Sequence, residues 1–173
     1  MDDLTRLALA AADGDRVCLA AFVRAAQPDV WRLCAYLGGR DRADDLTQET
    51  FLRAIPALPR FEARSGARSW LLAIARRTCA DSVRRQIRRR GLLQRLQQSR
   101  DDQAGDASSS VDLDALVAGL DVERRAAFVL TQVLGLSYAE AAEVCHCPIG
   151  TIRSRVARAR GELVAAVQQA ESV

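Results

Sequence analysis

Apolar residues recur three and four positions apart along most of the chain, a spacing that places them on one face of an α-helix. Over residues 4–37 this pattern predicts two amphipathic helices, with Pro28 suited to the start of a helix. The Gly38-Gly39 pair then ends the second helix, and a third helix is predicted over residues 44–55, before Pro56. The chain therefore begins with three predicted helices.

A longer helix is predicted next, from Trp70 to about Arg90, with Ser69 as its N-cap residue. The helical spacing is lost over residues 91–110, where Gln, Asp, Gly and Ser accumulate as in a flexible linker. Four further helices are then predicted, over residues 111–120, 123–134, 137–144 and 148–168. The pattern therefore predicts an all-α fold of two small helical domains, residues 1–90 and 111–173, joined by the flexible linker.

The strongest local signal is a helix-turn-helix in the C-terminal part. Ser137 and Glu140 have the spacing of a capping box, and Pro148 is suited to the first position of the following helix. On that helix Ser154 and Arg158 lie opposite the apolar stripe, where a recognition helix carries its base-reading residues. The predicted stripe consists of Ile149, Ile152, Val156, Ala159 and Leu163, with Arg153, Arg155 and Arg160 on its flanks. The alternative is a helical hairpin with a solvated basic face.

Basic charge is concentrated in the middle of the chain. All 25 basic residues are arginine, and 13 of them lie between Arg53 and Arg100, against two acids, Glu62 and Asp81. A dense field of guanidinium groups attracts phosphate and can bind it through two parallel hydrogen bonds. The distribution therefore predicts a polyanionic partner, with a solvated arginine-rich helix as the alternative.

The sequence also argues against several functional classes. It has no apolar run long enough to span a membrane and no signal segment at its start, so we expect a cytoplasmic protein without membrane insertion. The five cysteines lack the paired spacing of a disulfide or zinc framework, and Cys145-His146-Cys147 has no second ligand pair at usable spacing. With one histidine and no glycine-rich phosphate loop, we expect no metal, no cofactor and no catalytic site.

Three motifs, in this order, resemble the extracytoplasmic-function sigma factors of bacterial RNA polymerase, a group of the sigma-70 family. They are DDLTQETFLRA at residues 44–54, residues 61–85 with SWLLAIAR at 69–76, and GTIRSRVARAR at 150–160. Together they cover nearly the whole chain, and they are most similar to the actinobacterial sigma factor C type. The resemblance implies that residues 1–90 form sigma region 2 and residues 111–173 form region 4.

For the helix over residues 44–55, the resemblance implies docking on the clamp coiled coil of the polymerase β′ subunit. The polar contacts carried over by position are Asp45, Gln48 and Glu49, supported by Leu46 and Leu52. The alternative is that acids on an exposed helix face serve only solubility.

For the loop over residues 61–69 and the helix after it, the resemblance implies capture of the non-template strand of the −10 promoter element. An arginine-lined surface can follow the backbone while a loop pocket accepts an unstacked base. Trp70 could stack on a base or anchor the core, and many relatives carry Asn at the position of Arg77. The residues expected to contact −10 DNA are Phe61, Arg64, Ser65, Arg68, Trp70, Arg76, Arg77, Arg84, Arg85 and Arg88.

Region 4 resembles the part that binds the −35 element while packing against the β flap. The implied partners are therefore core RNA polymerase, through its β′ clamp and β flap, and promoter DNA. Many relatives are held inactive by an anti-sigma protein, and nothing in this sequence encodes whether this chain has one. The residues expected to contact −35 DNA are Thr151, Arg153, Ser154, Arg155 and Arg158.

The leading hypothesis is a dissociable promoter-specificity subunit of RNA polymerase that performs no covalent chemistry. The alternative is a stand-alone helix-turn-helix regulator whose N-terminal half senses a signal or dimerises. Failure to co-purify with core polymerase would favour that alternative. An enzyme is the third class, and turnover that is lost on mutating His146 would support it.

Overall fold

The computed structural model describes residues 1–96 and 113–171, and these residues are helical without any strand. The N-terminal unit, residues 1–96, contains α1 (Asp3–Ala12), α2 (Arg16–Gly38), α3 (Ala43–Ala54) and α4 (Ala67–Leu96), with 3-10 turns at Arg40–Arg42 and Ile55–Arg60. The C-terminal unit, residues 113–171, contains α5 (Leu113–Gly119), α6 (Val122–Phe128), a π-helical segment (Val129–Val133), α7 (Tyr138–Cys145) and α8 (Ile149–Glu171). The all-α fold predicted from the sequence is confirmed.

Helix α2 is at the centre of the N-terminal unit, where it packs against α1, α3 and α4. Its buried residues Phe22, Val30 and Leu33 share one apolar core with residues of α3 and α4. Gly38, at the end of α2, permits a close approach of α3, because a Cβ placed there would overlap Cδ1 of Leu46. This contact is one of those that position α3 against α2.

The predicted helix start at Pro28 is wrong. Helix α2 begins at Arg16, where the side chain of Asp15 accepts hydrogen bonds from two backbone N–H groups, and Pro28 lies inside the helix. Proline removes one backbone hydrogen bond from a helix interior. The buried face nevertheless continues from Phe22 to Val30, so packing on both sides of the proline outweighs that loss.

Helix α4 also differs from its prediction at both ends. It begins at Ala67, and Ser69 is buried in its first turn instead of capping it. The start is tied to α1, because Oγ1 of Thr5 accepts the N–H of Ala67 at 2.9 Å. The helix continues to Leu96, so the first residues of the predicted linker are helical. The rest of that linker, residues 97–110, lies outside the described residues.

The C-terminal unit contains the predicted helix-turn-helix, formed by α7 and α8. Oγ of Ser137 accepts the N–H of Glu140 at 3.2 Å, and Oε2 of Glu140 accepts the N–H of Ser137 at 2.8 Å, which confirms the capping box. The predicted buried stripe of α8 is confirmed from Ile152 to Leu163. Ile149 is 44 % exposed, because it is the first residue of the helix and lies one turn ahead of the packed positions.

The helix predicted over residues 123–134 is divided by the π-helical segment. Its first residues form α6, and Val129, Leu130 and Thr131 are then buried in the wider π turn. Oγ1 of Thr131 donates to the backbone oxygen of Ala127 at 2.8 Å, so this buried hydroxyl is satisfied. The apolar spacing alone does not distinguish the two kinds of helix.

Candidate nucleic-acid interface

The outer face of α3 combines polar and apolar side chains. Asp45 and Gln48 are exposed, and Leu52 exposes 65 % of its surface. A depression of about 310 Å³ lies beside them and is lined in part by Trp31. The indole Nε1 of Trp31 donates to Oδ1 of Asp44 at 2.8 Å, which fixes the ring at the edge of this depression. The face therefore offers an apolar contact point surrounded by polar groups.

Two of the five residues predicted on this face are engaged within the N-terminal unit. Leu46 is 3 % exposed and packs in the core, so its prediction as a polymerase contact is corrected. Helix α3 is amphipathic, and Leu46 falls on the inward face while Leu52 falls on the outward one. Glu49 is half-buried and is ion-paired with Arg53 and, at 3.1 Å, with Arg85. Its carboxylate is therefore already occupied within the N-terminal unit.

The loop between α3 and α4 forms a small open pocket. The ring of Phe61 packs on that of Trp70, with centroids 5.0 Å apart and planes at 45°. Together with Arg64 and Ser65 these rings line a depression of about 280 Å³. Ala63 bends the loop with a φ of 50°, in the left-handed region. The structure thus brings four predicted −10 residues together, and Trp70 both supports Phe61 and borders the pocket.

On the first half of α4, Arg76 contacts the C-terminal unit. Its Nη2 donates to both carboxylate oxygens of Glu123, at 2.8 and 3.0 Å. The same carboxylate is ion-paired with Nη1 of Arg155 on α8, at 3.0 Å. Glu123 therefore neutralises one arginine from the predicted −10 group and one from the predicted −35 group.

Two further arginines of the predicted −10 group contact the C-terminal unit. The guanidinium of Arg68 donates to Oδ2 of Asp29 at 2.7 Å and to the backbone oxygen of Leu134 at 2.7 Å. Arg77 donates to Nε2 of His146. Burial, together with the positive charge of Arg77, lowers the pKa of His146 and so favours the neutral imidazole that can accept this bond. In this arrangement neither arginine is free to bind phosphate.

The second half of α4 presents the remaining arginines to solvent. Arg84 is ion-paired with Asp81 at 2.6 Å, and Arg85 with Glu49. Within residues 1–96 and 113–171, Arg88 forms no ion pair. Of the seven arginines in the predicted −10 group, three therefore hold the C-terminal unit, and Arg64, Arg84, Arg85 and Arg88 remain exposed.

Helix α8 carries an exposed polar row opposite its buried stripe. Arg153, Ser154 and Arg158 are all exposed, and neither arginine forms an ion pair with any residue that the structure describes. Oγ of Ser154 donates to the backbone oxygen of Thr151 at 2.9 Å, and Thr151 is half-buried. Arg155 departs from the prediction, because its guanidinium turns inward to Glu123 and is not on this row.

Glu123→Gln is expected to lower the free energy of unfolding by about 1 kcal/mol, because a neutral amide cannot pair with both Arg76 and Arg155. Urea denaturation followed by circular dichroism measures the loss, and small-angle scattering should detect a larger average radius. The matched control is Glu143→Gln, since Glu143 is exposed and forms no ion pair within the described part of the chain. Equal behaviour of the two variants would contradict a joining role for Glu123.

The two units match two parts of one protein family. Residues 22–89 match sigma-70 region 2, and residues 110–163 match sigma-70 region 4. The ECF RNA polymerase sigma factor SigC of Mycobacterium tuberculosis is 54 % identical over 166 residues, which cover 94 % of this chain and 90 % of that relative. The chain belongs to the extracytoplasmic-function sigma factors of the sigma-70 family.

Further relatives and solved structures agree with this membership. The sigma factor is 36 % identical to EcfG of Rhodopseudomonas palustris over 135 residues, covering 74 % of this chain and 72 % of that relative. Its fold is similar to that of CnrH in complex with the cytosolic domain of CnrY, with a TM-score of 0.75, 27 % identity and coverage of 96 % of this chain and 99 % of that chain. It is also similar to RpoE in complex with the anti-sigma factor NepR from Bartonella quintana, with a TM-score of 0.68, 28 % identity and coverage of 90 % and 97 %.

The resemblance inferred from the three motifs is therefore confirmed. In this sigma factor, the match to region 2 begins within α2 and extends into α4, while the match to region 4 includes α5, α6, α7 and most of α8. Among the described residues no helix is long and apolar enough to cross a membrane.

Several residues that shape these surfaces were not predicted from the sequence of the sigma factor. Trp31 borders the depression beside α3, and Glu123 and His146 receive the arginines of α4. Their partners lie 13, 47 and 69 positions away in the chain, so local spacing carries no signal for them. An acid in the first turn of a helix, as Glu123 is, would ordinarily be explained by the helix dipole alone.

Proposed function

We propose that this sigma factor binds core RNA polymerase, directs it to promoters that carry −35 and −10 elements, and helps to open the duplex. The observation that supports this most is the exposed row of Arg153, Ser154 and Arg158, carried by the second helix of a helix-turn-helix. Residues 1–90 act as region 2 and 111–173 as region 4, joined by the linker over residues 91–110, whose first residues up to Leu96 continue α4. The protein works in the cytoplasm and catalyses no reaction itself.

Polymerase binding is assigned to the outer face of α3. Leu52 supplies the apolar contact, and Asp45 and Gln48 supply polar ones around it, which is the usual arrangement of a small protein interface. We assign this face to the β′ clamp and a second surface, on region 4, to the β flap. Glu49 contributes by holding Arg53 and Arg85 in place.

Capture of the −10 element is assigned to the pocket under the α3–α4 loop. A depression of about 280 Å³ bordered by Phe61 and Trp70 suits one unstacked base, since aromatic rings bind any base face. The phosphate backbone of the captured DNA strand then runs along α4, where it contacts Arg84, Arg85 and Arg88. Binding energy gained only from the single strand stabilises the open duplex.

The contacts between regions 2 and 4 must be exchanged during promoter binding. Arg68, Arg76 and Arg77 bond to groups of region 4, and Arg155 bonds to Glu123. For these side chains to reach phosphate as proposed, region 4 must leave region 2. The complexes of CnrH with CnrY and of RpoE with NepR further support a protein partner of the anti-sigma class for this sigma factor.

Run-off transcription with purified core polymerase on a promoter library tests the proposal. We expect the full chain to enrich transcripts from templates that share one −35 and one −10 sequence, and core polymerase alone to enrich none. DNA binding without co-purification with core polymerase would instead favour a stand-alone helix-turn-helix regulator. Absence of promoter selectivity in the presence of core polymerase would overturn the proposal.

A further inference from the structure

A cleft of about 370 Å³ lies between α2 of region 2 and the helices α5 and α6 of region 4. This volume is at the lower end of the range of small-molecule sites, roughly 300 to 1,000 Å³. Both regions contribute walls, so the cleft is complete only while the two regions are in contact. None of its arginines belongs to the groups assigned to promoter DNA.

The walls carry an excess of positive charge. Arg32 and Arg40 approach from the region 2 side and Arg125 from the region 4 side, against one acid, Asp114. Asp114 accepts the hydroxyl of Tyr36 at 2.8 Å and is ion-paired with Arg40 at 3.0 Å. Arg32 is exposed and forms no ion pair with the described residues. The cleft therefore carries more positive charge than its one acid, Asp114, neutralises.

Arg125 supplies an independent sign of a ligand. Its Nη2 donates to the backbone oxygens of Ala118 and, at 2.9 Å, Leu120, so the guanidinium is fixed at the end of α5. Its Nε is buried and has no acceptor among the residues that the structure describes. Buried donors in folded proteins almost always have a partner, and a buried cation has more to gain from one than a neutral group. The guanidinium as a whole is half-buried and lines the cleft, so an anionic oxygen bound there would partly offset the cost of this unpaired donor.

Two aromatic rings accompany the arginines. Trp31 is fixed through Asp44 and Tyr36 through Asp114, so both rings line the cleft in defined positions. Aromatic rings stack favourably on planar groups, and an arginine guanidinium can donate two parallel hydrogen bonds to phosphate oxygens. We propose that the cleft binds a nucleoside phosphate, with the base against Trp31 or Tyr36 and the phosphates on Arg32 and Arg125. Such a ligand stabilises the contact between regions 2 and 4 by mass action.

Isothermal titration of the full chain with ATP at low salt tests this site. We expect saturable one-to-one binding of ATP. The Arg32→Gln substitution should weaken this binding about tenfold, because it removes one charge-assisted hydrogen bond. Adenosine and inorganic pyrophosphate, titrated separately, should each bind more weakly than ATP. Arg24→Gln is the matched control, because Arg24 is an exposed arginine of the same helix outside the cleft.

Three results would overturn the assignment. The first is the absence of saturable ATP binding by a chain that circular dichroism shows to be folded. The second is equal weakening by Arg32→Gln and Arg24→Gln, which would mean diffuse attraction to a basic protein. The third is pyrophosphate binding as tightly as ATP, which would remove the aromatic part of the site. None of these results bears on promoter selectivity, so each would leave the proposed function unaffected.

Discussion

Leu52→Asp is expected to weaken binding of this sigma factor to core RNA polymerase by at least about thirtyfold, the equivalent of roughly 2 kcal/mol. Leu52 is 65 % exposed and Ile55, one turn further on, is 37 % exposed, so the substitution places a charge in the apolar centre of the proposed contact. Biolayer interferometry with immobilised core polymerase measures the change. The fold should be unaffected, because the side chain does not enter the core.

Val17→Asp is the control for that substitution. Val17 is 77 % exposed in the first turn of α2, where an acid is favoured by the helix dipole, so polymerase affinity should stay within about twofold. Unfolding curves of both variants should match that of the parent protein. Unchanged affinity of Leu52→Asp would remove α3 from the polymerase interface.

Arg158→Ala is expected to weaken binding to a −35 element by about 1 to 3 kcal/mol if the guanidinium contacts a base edge. Arg158 is exposed, opposite the buried stripe of α8, and forms no ion pair within the described residues, so DNA binding does not have to break an internal bond first. Fluorescence anisotropy of the holoenzyme on labelled promoter DNA measures the loss.

A promoter with a scrambled −35 element separates two kinds of contact. A base contact predicts that Arg158→Ala loses affinity for the intact promoter but not for the scrambled one. A phosphate contact predicts the same loss on both, together with a shallower salt dependence. Arg24→Ala, on α2, provides a charge-matched control. No effect on either DNA would remove Arg158 from the interface.

Two predictions that rest on short-range chemistry are confirmed, although the equally short-range prediction of Ser69 as an N-cap is wrong. The capping box of Ser137 and Glu140 spans three residues, so its spacing alone indicates where α7 begins. The buried stripe of α8 is also periodic, and Ile152 and Val156 lie where the period places them. Both features are local, and local features of a helix can be predicted without knowing what packs against it.

Predictions that depend on distant partners are the ones that differ. Pro28 would start a helix if local preference decided, but a continuous buried face on either side of it keeps α2 intact. The sequence around an arginine likewise does not indicate which acceptor its guanidinium will bind. Arg76 and Arg155 satisfy one carboxylate, that of Glu123, and the chain positions of the three residues give no hint of it. Tertiary packing decides which arginines of a basic surface remain available.

The glycine at position 38, which has no side chain, affects how α2 and α3 pack together. Helices α2 and α3 touch directly where Gly38 meets Leu46, and such close packing leaves no slack between them. A tilt of α2, which carries Arg32, would therefore displace the Leu46 side chain of α3, the helix that carries Leu52. A ligand in the cleft beside α2 and a polymerase on the outer face of α3 would therefore act on two helices that share this contact.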